Sequence, residues 1–185
     1  MKKQVMIVTG AGQIGMAIAR RMGYGKKVIL GDKNPEQGQR MARMMNEAGF
    51  DAAALELDLS LRDSVKGFIE EAGKAGEITM LVNAAGVSPS QASVETILKV
   101  DLYGTAVLLE EVGKVIAPGG AGVTISSQSG HRMPQLTAEE DEMLACTPTE
   151  ELLSLKMLQG ANIRESLHAY QMAKRCNQKR VMSEA

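Results

Sequence analysis

The stretch Val5–Gly15, which reads VMIVTGAGQIG, decides the fold of this chain. Its first part, Val5–Thr9, is an apolar run with β-branched side chains, which predicts a buried strand. Its second part, GAGQIG, has the spacing G-x-G-x-x-G and leads into a segment with helical periodicity that starts at Gln13. A strand, a glycine turn and a helix in this order predict a unit whose turn can hold phosphate groups at the helix N-terminus.

Each position of this turn has an expected role. Gly10 would form the tight turn, Gly12 would let the backbone approach a pyrophosphate, and Gly15 would let the helix pack against the sheet. Gln13 and Ile14 lie in the first helical turn, whose free N–H groups and positive dipole end favour anions. Glycine turns also serve plain packing, so the phosphate interpretation needs a second signal.

Asp32 supplies that second signal. It ends the next predicted strand, 17 residues after Gly15. A carboxylate at this place can accept hydrogen bonds from the ribose hydroxyls of a dinucleotide, and it repels a 2′-phosphate. The alternative is an acidic turn residue before the Asn34-Pro35 pair. Because Lys33 adds a cation that could tolerate the extra phosphate, the charge pattern favours NAD while NADP stays open.

Short apolar runs alternate with longer amphipathic runs along the rest of the chain. Strands are expected at 5–9, 27–31, 52–57, 78–82 and 123–126, and helices at 13–22, 35–48, 60–73, 94–116 and 163–182. Asn34 is the expected N-cap of the second helix, and Ser60 with Asp63 resembles a capping box for the third. This alternation predicts an α/β fold with a doubly wound parallel sheet of the Rossmann type, in the strand order 3-2-1-4-5.

Residues 1–185 are expected to form one nucleotide-binding domain with a helical insertion at 131–162. The insertion is polar, acidic and rich in Met, and helix starts are expected at Thr137 and at Thr147-Pro148. The acidic run Glu139–Glu142 is interpreted as a helix N-terminus, where carboxylates are stabilising, rather than as a cation site.

The charge of the chain argues against nucleic acid as a partner. The formal net charge is −1, and no long basic run is present. The largest basic cluster is expected to be a solvated helix face, and it consists of Lys174, Arg175, Lys179 and Arg180.

Cysteine usage and hydropathy point to a cytoplasmic protein without a metal or membrane anchor. Cys146 and Cys176 form neither a zinc spacing nor a disulfide framework. No apolar run approaches the length of a membrane span. His131 and His168 have no partners at metal-ligand spacing, and His168 points to a different helix face from Tyr170.

Four further motifs are present, three of them directly after predicted strands. Asn83-Ala84-Ala85-Gly86 follows the fourth strand, Asp58-Leu59 follows the third, and Ser126-Ser127 follows the fifth. Tyr170 and Lys174 form a Y-x-x-x-K pair in the last predicted helix. In this order the motifs resemble those of the short-chain dehydrogenase/reductase family, whose members are Rossmann-type oxidoreductases.

The resemblance implies a role for each of these residues. Ser127 would hydrogen-bond the substrate oxygen, Tyr170 would act as the acid/base, and Lys174 would assist Tyr170 and hold the nicotinamide ribose. Asn83, Ala84, Ala85 and Gly86 would border the cofactor, and Asp58 with Leu59 would lie near its adenine. The spacing of Tyr170 and Lys174 has a physical reason, since residues at i and i+4 share one helix face and a neighbouring ammonium favours a phenolate.

Several positions depart from the family pattern. The glycine spacing is closer to that of the general Rossmann motif and of the epimerase branch. Asp101 stands in V-D-L-Y-G where the family usually has an Asn that holds a relay water. Asp101 would either bind the same water as part of the catalytic set or bond only to local backbone. Ser127 and Tyr170 are 43 residues apart, a long gap that is similar to the hydroxysteroid dehydrogenase/carbonyl reductase branch.

The largest departure is at the C-terminus. The family continues after the catalytic helix with a strand and a substrate loop, whereas this chain ends at Ala185. We therefore expect a C-terminally incomplete domain, without the family's last strands, that belongs to a longer enzyme. The resemblance also implies a homodimer or homotetramer.

The leading hypothesis is an enzyme that moves a hydride between NAD(P) and a small-molecule ketone or secondary alcohol. An epimerase or dehydratase that uses NAD transiently is the alternative that the glycine spacing permits. A nucleotide-binding fragment without catalysis is the alternative that the early chain end supports.

Overall fold

The computed structural model describes residues 2–185. The chain forms two compact units. The strand unit comprises the chain up to Ala85 together with Glu111–Ile125. The helical unit comprises Gly86–Glu110 and Ser126–Ala185.

The strand unit is built on one parallel sheet of five strands. The strands are β1 (Gln4–Thr9), β2 (Lys27–Asp32), β3 (Asp51–Glu56), β4 (Glu77–Asn83) and β5 (Ala121–Thr124). Their order is β3-β2-β1-β4-β5, which confirms the predicted doubly wound topology. In the centre of the sheet, Ile7 of β1 lies opposite Ile29 of β2 and Leu81 of β4. Because all strands run the same way, their carboxyl ends share one edge.

Alternation along β1 and β2 divides the apolar side chains between the two faces of the sheet. One face packs against α1 (Gln13–Met22) and α2 (Pro35–Glu47), where Met6, Leu30 and Met45 belong to one buried cluster. On the other face lies α3 (Arg62–Lys74), and its Phe68 ring occupies the space that a side chain at Gly31 would take. Helices on both faces explain why the strands are apolar without strict polar alternation.

The N-terminus of α2 confirms the cap that the sequence predicts. The Asn34 side chain accepts hydrogen bonds from the backbone N–H groups of Glu36 and Gln37, and Pro35 is the first helical residue. The predicted capping box of Ser60 and Asp63 is wrong, because α3 starts after Leu61 and has no side-chain cap. Ser60 is used elsewhere: its hydroxyl and its N–H both donate to Asp58 Oδ1.

The predicted helix at 94–116 has an irregular interior. It consists of α4 (Val94–Ile97), a π-helical segment (Leu98–Tyr103) and α5 (Gly104–Gly113). The π-helical segment carries Asp101, one of the predicted site residues. Inserted π turns of this kind are frequent at functional sites, although an apolar periodicity does not reveal them.

The insertion is helical as predicted, mostly in short 3-10 turns. It contains α6 (Ala138–Cys146) and 3-10 turns at Thr149–Ser154, Lys156–Leu158 and Gly160–Asn162. A helix starts at Thr137 as predicted, and Thr137 and Glu140 form a capping box at the N-terminus of α6. The last helix, α7 (Ser166–Glu184), starts three residues later than predicted.

The basic cluster of α7 is not the solvated face that the sequence suggests. Lys174 and Arg180 are both only 5% exposed. Arg175 forms a two-point interaction with Asp141 of α6, in which its Nε lies 2.8 Å from Oδ1, and Lys179 Nζ lies 3.0 Å from Asp141 Oδ2. The cations therefore bind the insertion to α7.

Asp141→Asn is expected to lower the free energy of unfolding by about 1–3 kcal/mol at neutral pH, because it weakens charge-assisted hydrogen bonds. The hydrogen bond from Arg175 is the main cause that lowers the pKa of Asp141. The stability linked to this group is therefore present above the ordinary carboxyl pKa and is lost as the pH falls through the lowered value. Urea unfolding at several pH values tests this, with the exposed neighbour Glu142→Gln as the control.

Candidate nucleotide-binding turn and catalytic cluster

The glycine turn has the backbone geometry that its sequence predicts. Gly10 has φ +82°, and a Cβ there would lie 2.8 Å from the backbone of Ala85. A Cβ at Gly15 would overlap the carbonyl oxygen of Gly10, whereas a Cβ at Gly12 would meet nothing within 4 Å. The turn is therefore closed at Gly10 and Gly15 and open at Gly12, at the N-terminus of α1.

The N-terminus of α1 is available for an anion. Gly12 is its N-cap, and no side chain accepts a hydrogen bond there. The first helical turn contains Gln13 and Ile14, and the Ile14 side chain is 55% exposed. Uncapped N–H groups at the end of a helix are a favourable site for a phosphate.

Asp32 is bound to the turn itself. Its Oδ2 accepts from the N–H of Ala11 at 2.8 Å, and its Oδ1 accepts from the N–H of Asn34 at the same distance. Gln37 of α2 donates its side-chain amide to the Ala11 carbonyl. The carboxylate predicted to accept from a ribose therefore also fixes the shape of the glycine turn.

Lys33 and Asp58 form an ion pair, with Nζ and Oδ2 2.7 Å apart. Burial alone would raise the pKa of Asp58, but the Lys33 ammonium and the Ser60 hydrogen bonds outweigh it and lower the pKa. Leu59 beside it is buried. Since a carboxylate already neutralises Lys33, its attraction for a 2′-phosphate is reduced.

The Asn83-Ala84-Ala85-Gly86 segment links the central strands at their carboxyl ends. Asn83 is buried, and its Oδ1 accepts from the Thr9 hydroxyl at 2.7 Å. The backbone of Ala84 donates to the Thr9 carbonyl, and the Asn83 carbonyl accepts from Ile125. These contacts hold the ends of β1, β4 and β5 together.

In the helical unit, Asp101 and Lys174 form a buried ion pair. Lys174 Nζ lies 3.2 Å from Asp101 Oδ2, and the two side chains are 6% and 0% exposed. Asp101 Oδ1 accepts from the N–H of Val87 at 2.8 Å. Asp101 therefore does bond to local backbone, as one of the two sequence interpretations proposed, and it also binds a predicted catalytic residue.

Burial raises the pKa of Asp101, while the Lys174 ammonium and the Val87 N–H oppose that rise. The carboxyl consequently takes up a proton more easily than an exposed aspartate does. Gly86 leaves the space that this pair needs, because a Cβ there would lie 3.3 Å from both Asp101 carboxylate oxygens and 3.4 Å from Lys174 Nζ.

Tyr170 lies beside the same ammonium. Lys174 Nζ is 5.2 Å from the centre of the Tyr170 ring, in the cation–π range. Ser126 donates its hydroxyl to the Lys174 carbonyl at 2.9 Å. Ser127 caps the 3-10 turn Gln128–His131, since its Oγ accepts from the Ser129 N–H at 3.1 Å.

The predicted site residues thus fall into two sets. One set lies at the carboxyl edge of the sheet in the strand unit, and consists of Gly10, Gly12, Gln13, Ile14, Gly15, Asp32, Lys33, Asp58, Leu59, Asn83, Ala84 and Ala85. The other set lies in the helical unit, and consists of Gly86, Asp101, Ser127, Tyr170 and Lys174.

The sequence does not reveal several contacts of this cluster. The Asp101–Lys174 ion pair joins residues 73 positions apart, and the Val87 N–H has no motif of its own. The Ser126-Ser127 motif indicates a serine here, but it does not show that the Ser126 hydroxyl bonds to the Lys174 carbonyl. The one sequence signal for the ion pair is Asp101 itself, because a charged residue stands there where the family pattern has an amide.

Comparison with known proteins identifies the family of the chain. Residues 4–138 match the family model described as short chain dehydrogenase. The chain belongs to the short-chain dehydrogenase/reductase family. The Short-chain dehydrogenase/reductase bsc3 of Alternaria brassicicola is 37% identical over 178 residues, which are 96% of this chain and 65% of that protein.

Two further proteins of this kind are similar to the chain. The 3beta-hydroxysteroid dehydrogenase of Mediterraneibacter gnavus is 32% identical, over 70% of this chain and 51% of that protein. The crystal structure of a metagenomic short-chain oxidoreductase in complex with NADP is 30% identical, with a TM-score of 0.59 over 71% of this chain and 65% of that one. The chain spans at most 65% of the length of each of these three proteins.

Other classes of site are not found among the described residues. In residues 2–185, no three or more His, Cys, Asp and Glu side chains are grouped so that they could hold a metal ion. In the same range, no helix combines the length and the apolar character that crossing a bilayer requires. Cys176 is buried, and burial raises the pKa of its thiol to about 12, so it stays protonated at neutral pH.

Proposed function

We propose that this short-chain dehydrogenase/reductase transfers a hydride between a nicotinamide cofactor and a small-molecule ketone or secondary alcohol. The observation that carries the proposal is the cluster of Tyr170, Lys174 and Asp101, in which a phenol lies beside a buried ammonium and its counter-ion. The relatives described above are named as dehydrogenases, reductases or oxidoreductases, and these names do not favour the epimerase alternative.

The strand unit fits the phosphates and ribose of a dinucleotide. The uncapped N-terminus of α1 and the open space at Gly12 suit a pyrophosphate. Asp32 would orient the adenosine ribose, and Asn83, Ala84 and Ala85 would border the cofactor. We propose NAD as the cofactor, since Asp32 repels a 2′-phosphate and Lys33 is neutralised by Asp58. The NADP complex of a relative keeps NADP as the alternative.

The helical unit supplies the proton chemistry. The bound cofactor would supply the hydride itself. Tyr170 donates its phenolic proton to the carbonyl oxygen during reduction, or accepts the alcohol proton during oxidation. Ser127 hydrogen-bonds the same oxygen and stabilises the charge that develops on it. Lys174 Nζ, which lies over the Tyr170 ring, would hold the nicotinamide ribose, and Asp101 keeps Lys174 in place.

Cofactor titration followed by a ketone screen tests this proposal. The chain contains no Trp, so nicotinamide fluorescence can be followed without a tryptophan background. We expect NADH to bind more tightly than NADPH, and we expect an aliphatic, cyclic or steroid ketone to oxidise the bound form. Tighter binding of NADPH would overturn the NAD assignment. Sugar conversion without net oxidation would support the epimerase alternative instead.

Gly12→Ala separates cofactor binding from folding. Because a Cβ at Gly12 meets no protein atom within 4 Å, the free energy of unfolding should change by less than about 0.5 kcal/mol. The added methyl group would lie where the phosphates approach, so the Kd for NADH should rise by about tenfold or more, which corresponds to about 1.4 kcal/mol. Gly67→Ala in α3 is the control, since its Cβ also meets nothing within 4 Å.

Two properties of the whole protein are also proposed. We propose that it acts in the cytoplasm, on the ground of its two isolated cysteines, and that it forms a homodimer or homotetramer, on the ground of the family resemblance. Light scattering of the purified chain tests the oligomeric state, and a monomer at all concentrations would contradict it. We also propose that residues 131–162 are an insertion into a single nucleotide-binding domain.

A further inference from the structure

A cavity of about 410 Å³ lies in the helical unit between α6, the 3-10 turns that follow it, and the first turns of α7. Its walls are mainly apolar and consist of Leu136, Met143, Leu155, Met157 and Met172. The volume falls within the range of about 300–1,000 Å³ that is typical of small-molecule sites. The cavity exists because the insertion covers this part of α7.

This cavity is separate from the proposed catalytic cluster. His168 and Met172 line it, and each is two positions from Tyr170 in α7. Two positions correspond to about 200° around an α-helix, so these side chains lie on the face opposite Tyr170. Lys174, four positions after Tyr170, lies on the Tyr170 face. A molecule in the cavity would therefore contact α7 from the side that does not carry the acid/base.

The apolar lining suits a flexible or irregular hydrocarbon group. Three of the five apolar residues are Met, whose unbranched and polarisable side chains adapt to differently shaped ligands. Met172 is buried, while Leu136, Leu155 and Met157 are partly buried against the core of the helical unit. Covering such a surface with an apolar group removes it from water, which contributes favourably to the free energy of binding.

The polar groups at the cavity favour an anionic head on that ligand. Glu140 belongs to the capping box of α6, where its Oε2 accepts from the N–H of Thr137 and its charge is stabilised by the helix N-terminus. One N–H of the Asn162 side-chain amide donates to the Lys156 carbonyl at 2.8 Å. Among residues 2–185, the Lys156 ammonium and the His168 ring have no hydrogen-bond or ion-pair partner, and both line the cavity. These two groups can donate to a carboxylate.

We propose that the cavity beneath the insertion binds an amphipathic carboxylate, with its hydrocarbon part against the Met and Leu side chains and its head at Lys156 and His168. The site is distinct from the proposed hydride-transfer site and does not depend on the proposed function. A fatty-acid-like molecule has this chemistry, and its binding would bring together α7 and the 3-10 turns of the insertion.

Isothermal titration calorimetry with decanoate tests the proposal directly. We expect saturable binding with one decanoate per chain and weaker binding of the neutral analogue decanol. Lys156→Glu should weaken decanoate binding by tenfold or more, and Met143→Trp, which fills the cavity, should do the same. Lys66→Glu, at an exposed lysine of α3, is the matched control and should leave binding unchanged.

Two further measurements make the result decisive. Tyr170→Phe should leave decanoate binding unchanged, because Tyr170 lies on the other face of α7. Circular dichroism confirms that each variant is folded. No saturable binding, or binding that both Lys156→Glu and Met143→Trp leave unchanged, would overturn the proposal. Equal binding of decanol would overturn the assignment of an anionic head, and loss of binding in Tyr170→Phe would place the ligand at the catalytic cluster instead.

Discussion

Tyr170→Phe is expected to lower the rate of ketone-dependent cofactor oxidation by about 10²–10⁴, the usual contribution of a positioned acid/base. The substitution removes only the hydroxyl that would exchange the proton with the substrate. The ring next to Lys174 stays in place, so the buried ion pair with Asp101 should be preserved. Steady-state kinetics should show the loss in kcat rather than in KM.

The control for this variant is the Kd for NADH, measured by nicotinamide fluorescence. It should change little, since the glycine turn and Asp32 belong to the strand unit. Retention of more than about a tenth of the wild-type rate would contradict the assigned role of Tyr170. A loss of cofactor binding without a separate loss in kcat would assign Tyr170 to binding alone.

Lys174→Met is expected to lower the free energy of unfolding by about 3–5 kcal/mol at neutral pH, because it leaves the buried Asp101 carboxylate without its counter-ion. Lys174 is one of the groups that lower the pKa of Asp101, so its removal raises that pKa further. A carboxyl whose pKa is raised in the folded state loses stability as the pH rises. The cost of Lys174→Met should therefore shrink as the pH falls and Asp101 takes up a proton.

The double variant Asp101→Asn/Lys174→Met distinguishes the ion pair from packing. Asn keeps an acceptor for the Val87 N–H but carries no charge, so it should recover most of the stability lost in Lys174→Met. Urea unfolding of the wild type, both single variants and the double variant measures the coupling. Lys66→Met is the exposed control. A double variant no more stable than Lys174→Met would show that the lost lysine stem, and not the unpaired charge, causes the effect.

Local signals made much of the strand unit predictable. The strands and the first two helices follow from short apolar runs, the glycine turn and the Asn34 cap, whose determinants lie within a few residues. The same kind of signal failed at Ser60, because its hydroxyl has two nearby uses and binds Asp58 instead of capping α3. Sequence spacing does not show which of two close partners a side chain selects.

The helical unit was less predictable because its determinants are distant in sequence. The motif identified Tyr170 and Lys174, but nothing near them indicated that Asp101 would be the counter-ion. The charge pattern of α7 predicts a solvated basic face, but Asp141 in the insertion binds Arg175 and Lys179. Both errors have one cause: a charge pattern in one helix cannot show which carboxylate from another segment packs against it.

The π-helical segment at Leu98–Tyr103 affects how residues are matched between this chain and its relatives. A π turn holds more residues per turn than an α-helix, commonly as one inserted residue. Where a relative has a regular helix, the alignment gap therefore belongs inside 98–103 rather than in a neighbouring loop. A misplaced gap would shift every equivalence from the gap onwards by one position, or about 100° of helix rotation, and would pair Asp101 with a side chain on the wrong face.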